Sequence, residues 1–435
     1  MLRSFRVENH KSIRDEQELI FVPQYDNSKT AVHVAAVFGA NASGKSNLLD
    51  ALRWLQGAVR SSYASWEAGT GVPRTPFRLD PEYAAKPSGY AVDVLMDGVR
   101  HDYGVIVDDQ RVVEEWLSVY PHGRRRVIFE RHGNDVKLGS TVPDRAALNE
   151  LLGRHTRDNA LFLSVAAQND VADVARIYHW FRTGVAFGDA DRLDEDELVQ
   201  QLGQESDSTT LASLIRAADL GLTDISVTDL GVLFEATDST GTTVRVDAPR
   251  VPPAHKVVWE TFMKALTEAG YRPTILKPGL LFHHGADNVP LGLDDQSAGT
   301  RSWIALVSQA LGVLSNGGLL VVDEVDASLH PHLSARLIDL FHDTDSNPSG
   351  AQLLFTTHDA TLLDSNTLER DEIWFVEKDR DSGASRLFAL SEFHPRKNED
   401  TEGRYLAGAY GAVPNLSASD FTEPIRRMRG NDAAA

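Results

Sequence analysis

The stretch "VFGANASGKSNLLDAL", beginning at Val37, restricts what this chain can fold into more than any other part of it. Gly39-Ala40-Asn41-Ala42-Ser43-Gly44-Lys45-Ser46 satisfies the phosphate-loop pattern G-x-x-x-x-G-K-[ST] at every fixed position. Such a loop needs a strand running into it and a helix leaving it, so that backbone N–H groups and the positive helix end converge on one anion. Both flanks are legible. The apolar run 31–38 reads as the strand, and "KSNLLDALRWL" from Lys45 carries apolar residues at helical spacing. The N–H groups of Ala40 to Lys45 are expected to wrap a β-phosphate, with Gly39 and Gly44 permitting close approach. Lys45 would neutralise β and γ oxygens, and the Ser46 hydroxyl would ligate Mg²⁺. The competing reading, an ordinary glycine turn, is disfavoured by the intact pattern in its strand–loop–helix context.

A second group of motifs lies downstream. In "GGLLVVDEVDASLHPH" a buried-strand run ends in Asp323-Glu324, a pair suited to hold a metal's water shell (Asp323) and to act as general base toward water (Glu324). "LDDQSAGTRSWIALVSQAL" places Ser297-Ala298-Gly299-Thr300 before a helix, 26 residues ahead of Asp323. "LLFTTHDATLL" ends another apolar strand with His358, 35 residues beyond Asp323. Singly, each has a plainer reading: a strand end, a helix N-cap, a hydrogen-bonded histidine. Their order together resembles the ABC/SMC-type ATPases: phosphate loop, signature, Asp-Glu pair, D-loop, switch histidine. The resemblance implies ATP and Mg²⁺ as cofactors, with His358 beside Glu324 in hydrolysis. It makes Val325-Asp326-Ala327-Ser328-Leu329 the D-loop, with Asp326 among the nucleotide contacts. It also implies that Ser297 and Gly299 reach the γ-phosphate of an opposite protomer, so that a homodimer or higher homo-oligomer sandwiches ATP between heads. No Q-loop glutamine stands out, and Gln110 and Gln168 are the candidates.

Bulk properties narrow the remaining classes. At 435 residues two lobes are expected rather than one core. The absence of cysteine excludes disulfides, thiolate metal sites and a cysteine nucleophile. A formal charge of −20 argues against a DNA-coating protein, since phosphate contacts need clustered Lys and Arg, and leaves room only for a local basic groove. The densest basic run, Arg124-Arg125-Arg126, reads as a solvated hairpin edge. His330 with His332, and His283 with His284, lack accompanying metal-ligand spacing. "MLRSFRVENHKSI" has no signal-peptide core. "WIALVSQALGVLSNGGLLVV" is interrupted by Asn316-Gly317-Gly318 and reads as helix–turn–strand, not a membrane span. A cytoplasmic chain without membrane contact is therefore expected.

Along the chain, Leu2, Phe5 and Val7 suggest an edge strand. The expected organisation is 1–76 for the first part of an ATPase head, 77–143 for a β-rich part with Asp-Gly and His-Gly turns, and 144–277 for a mainly helical lid or interaction insertion. Residues 278–411 would complete the head, and 412–435 form a tail. The acidic segment 189–207 reads as an exposed loop or helix face, and "HKVVWETFMKALTEAG" as a helix.

Nearly the whole chain resembles the AAA-type, SMC-like ATPases of bacterial phage-defence and abortive-infection loci (RloA and AbiLi type, with PARIS AriA and OLD-type ATPases more distant). The stretches that carry this are "RVENHKSIRDEQEL", "FGANASGKSNLLDAL", "SAGTRSWIAL", "LVVDEVDASLHPHL", "GAQLLFTTHDATLLD" and the family-specific end "RDEIWFVEKDRDSGASRLFALSEFHPRKNEDTEGRYLAGAYGAVPN". His10 stands where an aromatic residue is expected. The resemblance implies an α/β P-loop NTPase, an ABC/SMC-like head with an inserted β-rich and helical region. It further implies an ATPase that senses or regulates in antiviral defence and controls a separate, operon-encoded effector such as a nuclease. Only 77 residues follow His358, too few for the fused Toprim nuclease of OLD-type proteins. The alternative is a RecF-like DNA-maintenance ATPase that binds DNA directly. A transporter motor is disfavoured by the 252 residues between Lys45 and Ser297.

Overall fold

The computed structural model describes residues 1–143 except 27, most of 146–227, 233–237, 243–247, 280–414 with isolated exceptions, and 422. The helix expected over 255–270 and the tail beyond 414, save 422, lie outside the described residues. The chain forms two compact units: Met1–Gly188, Val313–Asp326 and Ser334–Ala435 in the first, Asp189–Gly312 and Ala327–Leu333 in the second.

The first unit opens with β1 (Leu2–Glu8), β2 (Gln17–Ile20), β3 (Val34–Phe38), β4 (Ser88–Met96), β5 (Val99–Val107), β6 (Val112–Tyr120), β7 (Arg126–His132), β8 (Asp135–Leu138) and β9 (Val185–Gly188). The second contains β10 (Leu222–Val227), β11 (Leu233–Thr237), β12 (Thr243–Asp247), β13 (Leu280–His284) and β14 (Val289–Leu291). The chain then returns to the first with β15 (Leu319–Val322), β16 (Gln352–Thr357), β17 (Ile373–Lys378) and β18 (Ser385–Ala389).

Seven strands form an antiparallel sheet in the order β2-β1-β4-β5-β6-β7-β8. The Asp-Gly turn is where the sequence places it: Asp97 and Gly98 both take positive φ between the paired Met96 and Val99, as a two-residue hairpin requires. The edge position expected of β1 is corrected. It pairs with both β2 and β4 and is an interior strand. Alternating Leu2, Phe5 and Val7 report one buried face, which an edge and an interior strand share.

The second sheet runs β18-β17-β3-β16-β15-β9 and is parallel except for β18. Every residue of β3, β15 and β16 is buried, the continuous apolar run of strands covered on both faces. Register pairs Thr357 with Phe38 and Val322 with Phe355, so the segments leaving β3, β15 and β16 emerge at one sheet edge. In open α/β sheets that carboxyl edge is where ligands bind. The helix α1 (Lys45–Ser65) buries Leu48, Leu49, Leu52, Leu55 and Val59 in a core shared with Ala35, Val37, Val321 and Leu354. Trp54 of α1 stacks on Tyr90 of the antiparallel sheet at 4.2 Å.

Helix Ala298–Asn316 ends at Gly317, whose φ of +71° turns the chain into β15. Helix–turn–strand is therefore the structure of the apolar stretch, and among the described residues no helix is long and apolar enough to cross a membrane. In the second unit β10, β13 and β14 form a small antiparallel sheet and β11–β12 a hairpin, accompanied by helices Glu195–Leu202 and Glu205–Ala217.

Candidate nucleotide site

Gly44 enters α1 at φ +111°, and Ala42 stands at φ +61°, so the loop folds back before the helix begins. The helix starts with no side-chain cap and no acidic residue in its first turn, which leaves its positive end for an anion. At Gly39 a Cβ would run into the Val376 carbonyl oxygen of β17. Lys45 is buried and its Nζ donates to Gly39 O at 2.9 Å and Ala40 O at 3.2 Å. Burial pushes this ammonium below the usual lysine range, against the pull of Glu324, Asp323 and Asp326. Ser43 Oγ is buried without a hydrogen-bond partner, an unsatisfied polar atom that a phosphate oxygen would satisfy. Residues 41–47 with Glu324, His358 and Lys378 line a cleft of about 450 Å³.

The acidic side of the cleft is built by β15 and β16. Glu324 stands at φ +51°, a left-handed conformation uncommon outside glycine. Thr356 of β16 holds that turn: its hydroxyl accepts from Glu324 N at 2.7 Å and donates to Asp323 Oδ1, while its carbonyl accepts from Val325 N at 3.0 Å. Asp323, Glu324 and Ser46 are exposed and offer hard oxygen donors suited to Mg²⁺.

His358 closes the constellation. Its Nε2 lies 3.2 Å from Lys45 Nζ and 3.6 Å from Glu324 Oε1, and its backbone N–H donates to the Asp326 carboxylate at 3.3 Å. The first unit therefore brings Lys45, Asp323, Glu324, Asp326 and His358 together from three separate segments. Ser297 and Gly299 belong to the second unit. There Ser297 Oγ accepts from Thr300 N at 3.1 Å, a cap on its helix, and a Cβ on Gly299 would stand 2.8 Å from Ser328 O.

Of the glutamine candidates, Gln110 sits in the β5–β6 turn and Gln168 donates to Tyr178 Oη at 3.0 Å; neither lines the cleft. The histidine pairs make hydrogen bonds: His283 with Ser226 at 2.8 Å, His284 with Gln296 at 3.0 Å, and His330 Nδ1 with His332 N at 3.2 Å. In the basic run Arg125 pairs with Glu130 and Arg126 with Asp173. Sequence reasoning missed Thr356, whose only signal is its place two residues before His358. It also missed what His10 does. That ring is buried between Tyr90 Oη and Asp50 of α1, 2.9 Å from each, and Lys11 Nζ reaches the same carboxylate at 2.6 Å. An aromatic residue could not bridge in this way, so the departure from the expected residue anchors the helix that follows the loop.

Strand, glycine loop and helix at the carboxyl edge of a parallel sheet, with the Asp-Glu strand one strand removed from the loop strand, define a P-loop NTPase fold of ABC/SMC-like type. The family model described as "AAA domain, putative AbiEii toxin, Type IV TA system" matches residues 34–364, and the chain belongs to that AAA-domain family. Among solved structures, one of an SMC head bound to the C-winged helix domain of ScpA is similar at 12% identity, covering 90% of this chain and 99% of that one, with a TM-score of 0.41. No curated protein matches the sequence.

Proposed function

We propose that the chain binds ATP with Mg²⁺ and hydrolyses it, and that the nucleotide state controls a separate effector in antiviral defence or abortive infection. The observation that carries the hydrolytic part is the convergence of Lys45, Glu324 and His358 on one cleft at the phosphate loop. Residues 40–45 and Lys45 bind the β- and γ-phosphates; Ser46 and Asp323 hold Mg²⁺, which when bound supplies charge neutralisation on the phosphate oxygens. Glu324 accepts a proton from the attacking water, and His358, set beside Lys45, orients toward the γ-phosphate. Ser297 and Gly299 complete the site across a homodimer, and Asp326 joins the nucleotide contacts. The family's description as a putative AbiEii toxin supports the abortive-infection setting. The insertion around 77–277 and the C-terminal end are the proposed partner-holding surfaces.

Glu324→Gln is expected to keep ATP binding and lose turnover by a factor on the order of 10² to 10⁴, whereas Lys45→Ala weakens binding itself. Unchanged turnover in Glu324→Gln would overturn the assignment. Co-purification with the neighbouring gene's product, with and without ATP, tests the effector. Nucleotide-sensitive binding to DNA ends with no protein partner recovered would favour a RecF-like role.

A further inference from the structure

Three segments remote in sequence meet against the phosphate loop. Ser12 follows β1, Asn47 lies in the first turn of α1, and Ser385 opens β18. Ser385 Oγ lies 2.5 Å from the Ser43 carbonyl oxygen and 2.7 Å from Ser12 Oγ, and Asn47 Nδ2 donates to Ser12 Oγ at 2.6 Å. A backbone bond, Ser385 N to Ser12 O at 2.7 Å, fastens the two serines together. Ser12, Ser43 and Ser385 are all buried.

The proton count orders these contacts. A hydroxyl has one proton and a carbonyl only accepts. Ser385 therefore gives its proton to Ser43 O, Ser12 gives its proton to Ser385 Oγ, and the Asn47 amide supplies Ser12. The result is a one-way relay from Asn47 through two hydroxyls to a single carbonyl of the phosphate loop, an arrangement in which each bond polarises the next.

That carbonyl matters because of what is bonded to it. The peptide between Ser43 and Gly44 is planar and trans, so holding the Ser43 C=O toward Ser385 aims the Gly44 N–H the opposite way. Phosphate loops recognise anions through oriented backbone N–H groups. Gly44, at φ +111°, has no side chain with which to hold its own orientation. Nor can one be added, since a Cβ there would collide with Ser385 Oγ and stand 2.7 Å from Ser12 Oγ.

We propose that Ser385, acting with Ser12, is a positioning residue that holds the Ser43–Gly44 peptide of the phosphate loop in its phosphate-binding orientation. The inference rests on the nucleotide reading of the site and assigns the β17–β18 hairpin, part of the family-specific end, a role in nucleotide affinity.

The test uses the full chain, a fluorescent ATP analogue for binding and steady-state hydrolysis for turnover. Ser385→Ala is expected to weaken analogue binding and raise KM about tenfold, the scale of one lost hydrogen bond. Turnover at saturating ATP stays within about twofold, because the groups at the acidic side of the cleft are untouched. Ser12→Ala should give a similar shift, and the double variant no more than either alone, since both break one relay. Wild-type affinity in Ser385→Ala, or additive losses in the double variant, would overturn the relay. Loss of turnover with unchanged KM would overturn it as well. A wild-type chain that fails to bind the analogue at all would overturn the nucleotide reading and this inference with it.

Discussion

His10, Lys11 and Asp50 show how a few polar side chains hold the helix behind the phosphate loop. The His10 hydrogen bond, helped by Lys11 and opposed by burial, lowers the Asp50 carboxyl from 3.8 to about 2. A carboxylate whose folded pKa lies below its unfolded value contributes stability that is complete above the unfolded pKa and is lost as pH falls through the folded one. The melting temperature of wild type should therefore exceed that of Asp50→Asn at neutral pH, and the gap should close as pH falls from 3.8 toward 2. A gap independent of pH in that window would contradict the bridge. Glu324 makes a related point, since its left-handed backbone is held by one residue, Thr356, through its hydroxyl and its carbonyl. Neither partnership has a local sequence signal: His10 and Asp50 are 40 positions apart and Glu324 and Thr356 are 32 apart.

At the scale of elements, the antiparallel sheet holds the helical segment through a buried charge. Helix Phe162–Gln168 begins at Leu161 with no cap from its own chain neighbours. Instead Glu115 of β6 accepts from Phe162 N at 2.6 Å and Leu163 N at 2.8 Å, and Tyr103 donates to it at 3.2 Å. Arg131 of β7 lies 3.6 Å away, and both charged side chains are fully buried. Burial pushes the Glu115 carboxyl up, opposed by Arg131 and the two helix N–H groups. Removing one partner leaves an unpaired buried charge, so Glu115→Gln should cost about 3 to 5 kcal/mol in urea unfolding. Replacing Glu115 and Arg131 together with Leu and Met should recover little of that loss, because the Phe162 and Leu163 N–H groups and the Tyr103 hydroxyl would then be buried without their acceptor. A near-neutral single variant would show that the pair carries no weight. The hairpin turns of this sheet were legible because Asp97-Gly98 needs only its own two residues, whereas β1's interior place depends on β4, more than 80 residues away.

For the whole molecule, the proposed sandwich makes a quantitative demand. If Ser297 and Gly299 complete a site on another copy, specific activity should rise with protein concentration. A mixture of Lys45→Ala and Ser297→Ala chains should then recover about one working site per mixed dimer, because the two lesions fall on the same composite site and spare the other. Activity of the mixture equal to the sum of the two separate variants would remove the trans arrangement.

The phosphate loop, its strand and its helix were readable from the sequence alone because eight adjacent residues set the loop's backbone, and the flanking periodicities are local. The Asp-Glu pair and His358 were readable too, since each ends an apolar strand and their order is itself a signature. Strand order was not readable. Only tertiary structure places β17 and β16 on either side of β3, and so brings Lys378 and His358 to the same cleft. Ser385 reaches the loop carbonyl from 342 positions away, and a lone serine has no periodicity or spacing to mark it. Local backbone geometry is a property of neighbours in the chain, whereas a buried hydrogen bond is a property of neighbours in space.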